Sequence, residues 1–328
     1  MKILPLFIPH QGCPFHCIYC NQNSITKTPA IDKDHFRKLI HNFCIHNPET
    51  DKEIAFFGGT FTALSQAEQL EYLQMAIMYF AGIRGIRLST RPDYIDPQKL
   101  KFLKTYFVTT IELGIQSFSD DVLEASSRGY SAARAIAACE MVKEFGFDLV
   151  IQLLPALPGD DYNTFMKTVQ QTVNLKPSGV RLYPALVLKG TLLEQYFLTG
   201  KYQPLELEDT VQWLKEAVKL FQQAQIPLLK IGLHSDLTPE DIVAGPFHPA
   251  LGELIFIELL YEKLLENWVP NSTLQVSGDH ISLFRGHDRL LIKKLKEHLL
   301  LDKIPVCINK DKKAPTFCFV NKEAERYW

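Results

Sequence analysis

The chain has 328 residues, of which 46% are hydrophobic and 22% are charged, and its formal net charge is −2 at pH 7. This length and hydrophobic content suit one large α/β domain with a small addition, and they exclude an intrinsically disordered chain. The small net charge gives no global attraction to nucleic acid or to anionic membranes, so any such partner must be bound by a local surface.

Short apolar runs alternate with helical patterns from the first residues onward, which is typical of βαβ units. The predicted strands are ILPLFIP at 3–9, EIAFF at 53–57, GIRLS at 85–89, VTTIELG at 108–114, DLVIQLL at 148–154, GVRLYP at 179–184 and PLLKIGL at 227–233. Helices are predicted near 33–47, after Ser65, from Asp96, up to about Gly146 and over 207–224. Because parallel strands need helical crossovers, the pattern favours a parallel barrel or partial barrel, with a doubly wound sheet as the alternative.

The alternation stops after about Leu251. The segments TLQVS at 273–277, ISLFRG at 281–286, VCINK at 306–310 and TFCFV at 316–320, with a helix from about His287 to Leu300, indicate a small α+β unit. We therefore expect a barrel domain over residues 1–250 and a second domain over 251–328.

The amino-terminal sequence and the cysteines bear on the compartment. KILPLFIP is too short and too rich in proline for a signal peptide, and no later apolar run approaches the ~20 residues that cross a bilayer. Seven cysteines, three of them clustered, favour reduced thiols and a metal site over a secretory disulfide framework. We expect a cytoplasmic protein that does not associate with membranes.

Cysteine, glycine and charged residues gather at the ends of the predicted strands. These segments are Cys13–Cys20, GGT at 58–60, STRPD at 89–93, ELGIQS at 112–117, LPALPGD at 154–160 and YPALVLKGT at 183–191. The carboxyl ends of barrel strands are where active sites are built, so we expect the six segments to meet at one mouth. Turn formation explains any single glycine or proline, but it does not explain the cysteines and the charges.

The stretch PHQGCPFHCIYCNQ at 9–22 holds three cysteines in a CxxxCxxC pattern: Cys13, Cys17 and Cys20. Three thiolates on one loop can hold three corners of an iron–sulfur cubane, or they can bind zinc with His10 or His16 as a fourth ligand. Spacing alone leaves both metals open. The glycine pair at 58–59 indicates that a small molecule approaches the backbone closely, which favours the cluster.

CPFHCIYC resembles the signature of the radical S-adenosylmethionine superfamily, whose cysteines ligate a 4Fe-4S cluster. The resemblance implies an α/β fold, a partial (β/α)6 parallel barrel, here with a small C-terminal α+β appendage. It also implies two cofactors, the 4Fe-4S cluster and S-adenosyl-L-methionine, whose methionyl amine and carboxylate fill the fourth position on the cluster. An electron from a donor such as flavodoxin or ferredoxin then cleaves S-adenosylmethionine and gives a 5'-deoxyadenosyl radical.

The same resemblance implies roles for further residues. The turn of Gly58, Gly59 and Thr60 would receive the methionyl amine, and Tyr19 would lie beside the adenine. The residues at the ribose or the methionyl carboxylate would be Thr90, Arg91, Glu112 and Gln116, and Arg128 is a further candidate for cofactor binding. The residue types leave two alternatives open: Arg91 and Glu112 could form an internal salt bridge, and Arg128 could lie at the surface or at a helix end.

Longer segments are similar to the radical domain of the Elongator catalytic subunit. These are GGTFTAL, STRPDYID, ELGIQSFSDDVL, RGY and YPALVLKGTLLEQYFLTGKY, and they cover roughly residues 9–203. Members of that family modify the wobble uridine of tRNA and carry an acetyltransferase domain. Tyr130 replaces the family's histidine, and about 80 residues after the barrel are too few for that domain, so we expect the radical domain without it.

Three functions remain open: a radical enzyme acting on RNA, a radical enzyme acting on a porphyrin or another small metabolite, and a non-catalytic metal-stabilised binding module. For RNA, Arg181, Tyr183 and Lys189 would face the reacting base. From Arg285 to Trp328, eleven Lys or Arg outnumber six Asp or Glu, a basic bias that ordinary solvated surface also explains. The phosphate contacts would be Arg285, Arg289, Lys293, Lys294 and Lys296.

Overall fold

A computed structural model describes residues 2–13, 17–21, 33–48, 51–79, 82–232, 237–310, 316–320 and 326–327. The chain forms two compact units, Met1–Pro249 and Ala250–Trp328. Within the described ranges, no helix is both long enough and apolar enough to cross a bilayer.

The strands of the first unit form one large parallel sheet and one short ribbon. They are β1 (Lys2–Phe7), β2 (Lys52–Phe57), β3 (Gly85–Thr90), β4 (Val108–Gln116), β5 (Asp148–Leu153), β6 (Gly179–Leu182), β7 (Val187–Leu188), β8 (Leu228–Ile231) and β9 (Ile242–Ala244). The large sheet has the order β1-β2-β3-β4-β5-β6-β8, all parallel, and β7 pairs with β9 in an antiparallel ribbon. A doubly wound sheet reverses its strand order at a switch point, whereas these strands follow chain order, so that alternative is wrong.

Helices alternate with these strands and cover one face of the sheet. They are α1 (Lys33–His46), α2 (Gln66–Ile77), α3 (Pro97–Thr105), α4 (Asp120–Ala125), α5 (Ala132–Glu144), α6 (Tyr162–Leu175), α7 (Leu192–Leu198) and α8 (Leu207–Gln223). Several begin at a side-chain cap: Ser65 and Glu68 form a capping box at α2, and Asp96 accepts the Lys99 N–H at α3. The helix starts are therefore fixed close behind the strand-end loops.

The two faces of the sheet differ in chemistry. Alternate side chains such as Ile86, Leu88 and Ile111 are fully buried, as expected where strands pack against helices. Their neighbours Arg87 and Glu112 point to the opposite, concave face, where they line a cavity. The inside of the sheet therefore carries buried charges instead of an apolar core.

The sheet is curled. Residues of both edge strands, Pro5 and Phe7 on β1 and Leu229 and Lys230 on β8, line the same cavity. A flat seven-stranded sheet would hold its edges well apart, since neighbouring strands are about 4.8 Å apart. The prediction of a partial parallel barrel is confirmed.

The second unit is a small α+β fold. It contains α9 (Leu251–Glu266), β10 (Thr273–Ser277), α10 (Ile281–Leu299), β11 (Pro305–Asn309), β12 (Phe317–Val320) and β13 (Arg326–Tyr327), with the sheet order β12-β10-β11-β13. ISLFRG forms the first turns of α10 and is not a strand. The reason is tertiary: Phe284, Leu291 and Leu295 recur at helical spacing and are fully buried in one core.

Candidate active site at the mouth of the half-barrel

A cavity of about 500 Å³ opens at the carboxyl ends of the parallel strands. Its lining includes Cys13, Cys17, Cys20, Tyr19, Gly58, Gly59, Thr60, Thr90, Arg91, Glu112, Gln116, Arg128, Arg181 and Tyr183. Five of the six predicted strand-end segments therefore meet here. The sixth segment, 154–160, contributes none of the lining residues.

The cysteine loop and the glycine turn interlock. The Thr60 N–H donates to the Gln11 carbonyl at 2.8 Å, and Cys13 Sγ lies 3.3 Å from Thr60 Oγ1. A Cβ on Gly59 would lie 2.5 Å from the Gln11 carbonyl oxygen, and one on Gly12 would clash with the Thr60 carbonyl. The glycines are therefore required for close packing of these two loops, independently of any bound molecule.

Cys17 lies beside two buried arginines. Arg128 Nη1 donates to Cys17 Sγ at 3.2 Å, and Arg91 Nη1 is 3.7 Å from the same sulfur. Arg128 Nη1 is also 3.0 Å from the Tyr19 hydroxyl. The Tyr130 ring lies near both guanidiniums, 5.0 Å from Arg128 Cζ and 5.3 Å from Arg91 Cζ. The two cations can offset the negative charge of a thiolate at Cys17.

Tyr130 positions Arg128. Its hydroxyl accepts from Arg128 Nε at 2.9 Å and Nη2 at 2.8 Å, and donates to the carbonyls of Gly114 and Ile115 at 2.9 and 3.0 Å. Burial raises the pKa of Tyr130, which keeps the donating proton in place. Because Arg128 is only 4% exposed, the alternative role for it at the protein surface is wrong.

Arg91 pairs with its near neighbour Asp93. Arg91 Nε and Nη2 each donate to the Asp93 carboxylate at 3.0 Å, and Nη2 also donates to the Arg128 main-chain carbonyl. The alternative of a salt bridge between Arg91 and Glu112 is therefore wrong. Asp93 belongs to the same STRPD segment as Arg91, so Arg91 pairs within its own loop and not with Glu112 on the neighbouring strand.

Glu112 is the centre of a buried ion network on the concave face. Its Oε1 accepts from Arg87 Nη1 at 2.8 Å and Arg181 Nη2 at 3.1 Å, and its Oε2 accepts from Arg181 Nε and Gln152 Nε2, each at 2.9 Å. Arg87 also pairs with Glu53 at 2.7 Å. Burial disfavours the Arg181 cation, but the Glu112 carboxylate and the Tyr183 hydroxyl together outweigh burial and raise the pKa of Arg181. A contact from Glu112 to a cofactor would have to displace one of these donors.

Thr90, Gln116 and Tyr19, which were also predicted as cofactor-binding residues, line the cavity. Thr90 Oγ1 is 2.6 Å from Thr62 Oγ1. Gln116 has a φ of +71° beside a register shift between β4 and β5, which turns the chain at the strand end. Burial raises the pKa of Tyr19 well above its usual value, so its phenol remains protonated.

The predicted substrate-facing residues separate into two groups. Arg181 and Tyr183 line the cavity, whereas Lys189 is exposed and lies outside the lining. Sequence reasoning missed Lys230, which also lines the cavity. The available signal was a single charged residue within the apolar run PLLKIGL.

The cysteines predicted as metal ligands carry free thiols. All seven cysteines of the chain lie among the described residues, and none forms a disulfide. In the described part of the chain, no three His, Cys, Asp or Glu side chains converge closely enough for a single metal ion. His10 lines the cavity and His16 lies outside the described residues.

The basic residues predicted to contact RNA lie on α10 of the second unit. Arg285, Arg289 and Lys293 are exposed. Lys294 is half-buried, pairs with Glu258 and lies 4.9 Å from the Tyr261 ring centroid.

A curled parallel sheet with a CxxxCxxC loop at its carboxyl edge defines a barrel of the radical S-adenosylmethionine type. Residues 7–172 match the Radical SAM superfamily, and residues 177–261 match the Radical_SAM C-terminal domain. The first match spans half of the chain, so the chain belongs to the radical S-adenosylmethionine superfamily and is an enzyme of that superfamily.

Within the superfamily the chain is similar to Elongator proteins. It is 28% identical over 232 residues to Elongator complex protein 3 of Mus musculus and 24% identical over 234 residues to a tRNA uridine(34) acetyltransferase of Methanocaldococcus jannaschii. The alignments cover 63% and 65% of this chain but only 41% and 43% of those relatives. The structure of Elp3 from Methanocaldococcus infernus with an N-terminal deletion shares the fold, with a TM-score of 0.64 at 20% identity over 80% of this chain and 63% of that one.

Proposed function

We propose that this enzyme binds a 4Fe-4S cluster through Cys13, Cys17 and Cys20 and cleaves S-adenosylmethionine reductively. The observation that supports the proposal is the shared lining: the three signature cysteines and the glycine turn border one cavity with the polar ends of neighbouring strands. Superfamily membership gives no support to the alternative of a non-catalytic binding module.

The donor set fits such a cluster. Three thiolates leave one corner open, and the neighbouring arginines provide N–H donors of the kind that hydrogen-bond to cluster ligands. When bound, the cluster and S-adenosylmethionine supply a one-electron cleavage of the bond between sulfur and C5', which gives methionine and a 5'-deoxyadenosyl radical.

The chain's own residues would orient and enclose the reactants. We assign the Gly58–Thr60 turn and the polar residues Thr90, Arg91, Gln116 and Arg128 to S-adenosylmethionine, with Tyr19 beside its adenine. Glu112 contributes indirectly, because it fixes Arg181 in the cavity wall through two hydrogen bonds. A wall held by paired charges is preorganised and does not have to rearrange when the substrate binds.

For the substrate we propose RNA, because a relative that covers 65% of this chain is named as a tRNA uridine(34) acetyltransferase. The exposed residues Arg285, Arg289 and Lys293 on α10 would contact phosphates. A slope of about −0.7 per phosphate contact is expected when the logarithm of the affinity is plotted against the logarithm of the salt concentration.

The radical chemistry is tested by anaerobic reconstitution with iron and sulfide, followed by dithionite and S-adenosylmethionine. We expect 5'-deoxyadenosine, and we expect its loss when any one of the three signature cysteines is replaced by Ala. Cys44→Ala is the matched control, because Cys44 does not line the cavity. A protein that holds only zinc and forms no 5'-deoxyadenosine would reject the proposal.

The substrate is tested by profiling tRNA nucleosides and small metabolites in cells with and without the protein. A missing nucleoside would support RNA, and an accumulated porphyrin or other metabolite would reject it. In vitro, Arg289→Glu with Lys293→Glu should weaken RNA binding without changing 5'-deoxyadenosine formation. Lys294→Glu is unsuitable for this test, since it would break the ion pair with Glu258.

A further inference from the structure

A register shift turns a lysine of the last strand into the cavity. The pairing of β6 with β8 shifts by one residue after Val180, so that Arg181 is opposite Lys230 rather than Leu229. Without the shift, Lys230 would be opposite Leu182, whose side chain is fully buried on the other face. The bulge therefore places Lys230 on the face of Arg181, and both side chains line the cavity.

Of the two cations Arg181 and Lys230, only Arg181 has a carboxylate partner among the described residues. Glu112 accepts from Nε and Nη2 of Arg181 and offsets its charge, while Nη1 lies 3.4 Å from the Tyr183 hydroxyl. In the part of the chain that the structure describes, no carboxylate pairs with Lys230, which is exposed at the mouth. One of two adjacent cations is therefore uncompensated, and an oxyanion would bind here by charge-assisted hydrogen bonds.

We propose that Lys230 and Arg181 form a subsite that binds an oxyanion group of the substrate, a phosphate or a carboxylate. The proposal rests on the proposed function, which makes the occupant of the cavity a substrate. A cavity of about 500 Å³ is large enough for a nucleotide-sized molecule. A lysine on an edge strand can also serve only to block pairing with another chain, a role that requires no preference for anions.

Pyridoxal 5'-phosphate tests the subsite directly. Its aldehyde condenses with a lysine amine to an imine, with loss of water, and cyanoborohydride reduces the imine to a stable amine. After labelling of the reconstituted protein, mass spectrometry should find about tenfold more label on Lys230 with pyridoxal phosphate than with pyridoxal, which lacks the phosphate. Lys189 is the internal control, since it is exposed outside the cavity and should react equally with both aldehydes.

Competing anions distinguish the two oxyanions. Protection of Lys230 by inorganic phosphate would assign the subsite to a phosphate group, and protection by acetate would assign it to a carboxylate. Equal labelling of Lys230 by both aldehydes, or protection by neither anion, would overturn the proposal and leave edge blocking as the role of Lys230.

Variants separate the subsite from the cofactor. Lys230→Met should lose binding of the anion that protects Lys230, inorganic phosphate or acetate, whereas Lys230→Arg should keep this binding. Equilibrium dialysis should give an unchanged affinity for S-adenosylmethionine in both, and a weakened affinity in Lys230→Met would overturn the proposal by assigning the cation to the cofactor. Labelling needs no turnover, so selective labelling without 5'-deoxyadenosine would reject only the proposed function.

Discussion

Arg128 donates a hydrogen bond from Nη1 to Cys17 Sγ at 3.2 Å, although 110 positions of sequence lie between the two residues. Cys17 belongs to the cysteine loop after β1, and Arg128 follows α4, so the fold brings together two segments that are far apart in sequence. The hydrogen bond gives one of the three signature cysteines a charged donor.

Replacing Arg128 with Met should make the reduction potential of the bound cluster more negative. Loss of a charge-assisted hydrogen bond worth about 1.5 kcal/mol corresponds to about 60 mV for one electron. An EPR-monitored redox titration measures the shift. The same titration of Arg134→Met is the control, because among the described residues Arg134 contacts the carbonyls of Asp93 and Ile95 and no sulfur. An unchanged potential in Arg128→Met would contradict the assigned cluster position.

Tyr130→Phe should lower the free energy of unfolding by about 1–3 kcal/mol, since it leaves buried donors of Arg128 and the Gly114 carbonyl without the hydroxyl. Thermal unfolding of the variant measures this loss. Tyr162→Phe is a matched control, because Tyr162 is 41% exposed. Equal melting temperatures for the two variants would show that the Tyr130 hydroxyl is not required.

Glu112→Gln should destabilise the fold by about 3–5 kcal/mol, because it removes the charge that compensates Arg181 and Arg87 in a buried network. Urea unfolding measures the loss, with the exposed Glu208→Gln as the control. The experiment also separates two roles for Glu112. Unchanged stability with lost binding of S-adenosylmethionine would mean that Glu112 acts on the cofactor and not on the cavity wall.

Asp160 should make stability depend on pH. Burial raises the pKa of Asp160 from 3.8 to about 7 in the folded protein, where the Ala156 N–H donates to Oδ2 at 2.9 Å. Between these values the folded state holds a proton that the unfolded state has lost, so stability falls as pH rises from about 4 to about 7. The loss is about 4 kcal/mol at most.

The Asp160→Asn variant tests this prediction, because the asparagine side chain cannot ionise. Urea unfolding across pH 4–8 should show the variant gaining stability relative to the unchanged protein as pH rises. Two parallel curves would show that Asp160 ionises in the folded state with an ordinary pKa.

The sequence predicted much of the fold because its signals are local. Apolar runs of strand length alternate with helical patterns, and residues such as Ser65 and Asp96 mark helix starts, so the parallel order could be anticipated. ISLFRG at 281–286 forms part of a helix and is not a separate segment, because a six-residue stretch with three apolar residues fits either a strand or a helix until its packing partners are known. The core around Phe284 decided that case.

The cysteine loop and the glycine turn could also be predicted, because their residue types and spacing carry the chemistry. The sequence did not predict which charged side chains form ion pairs with each other. Arg91 pairs two residues away with Asp93, while Glu112 pairs with Arg181, 69 residues away. The first pairing lies within one loop, whereas the second depends on a distance and a burial that only the fold sets, and electrostatic energies change steeply with both.

The alternation of strands and helices, the cysteine loop and the resemblance to a family could therefore be predicted from the order of the residues. The face that each side chain occupies at the mouth depends on how the strands pair. Lys230 shows the difference: period-two alternation from Leu228 places it on the same face as Leu182, and a single-residue shift in pairing moves it to the cavity. Strand register is a property of two segments together, so neither segment's sequence contains it.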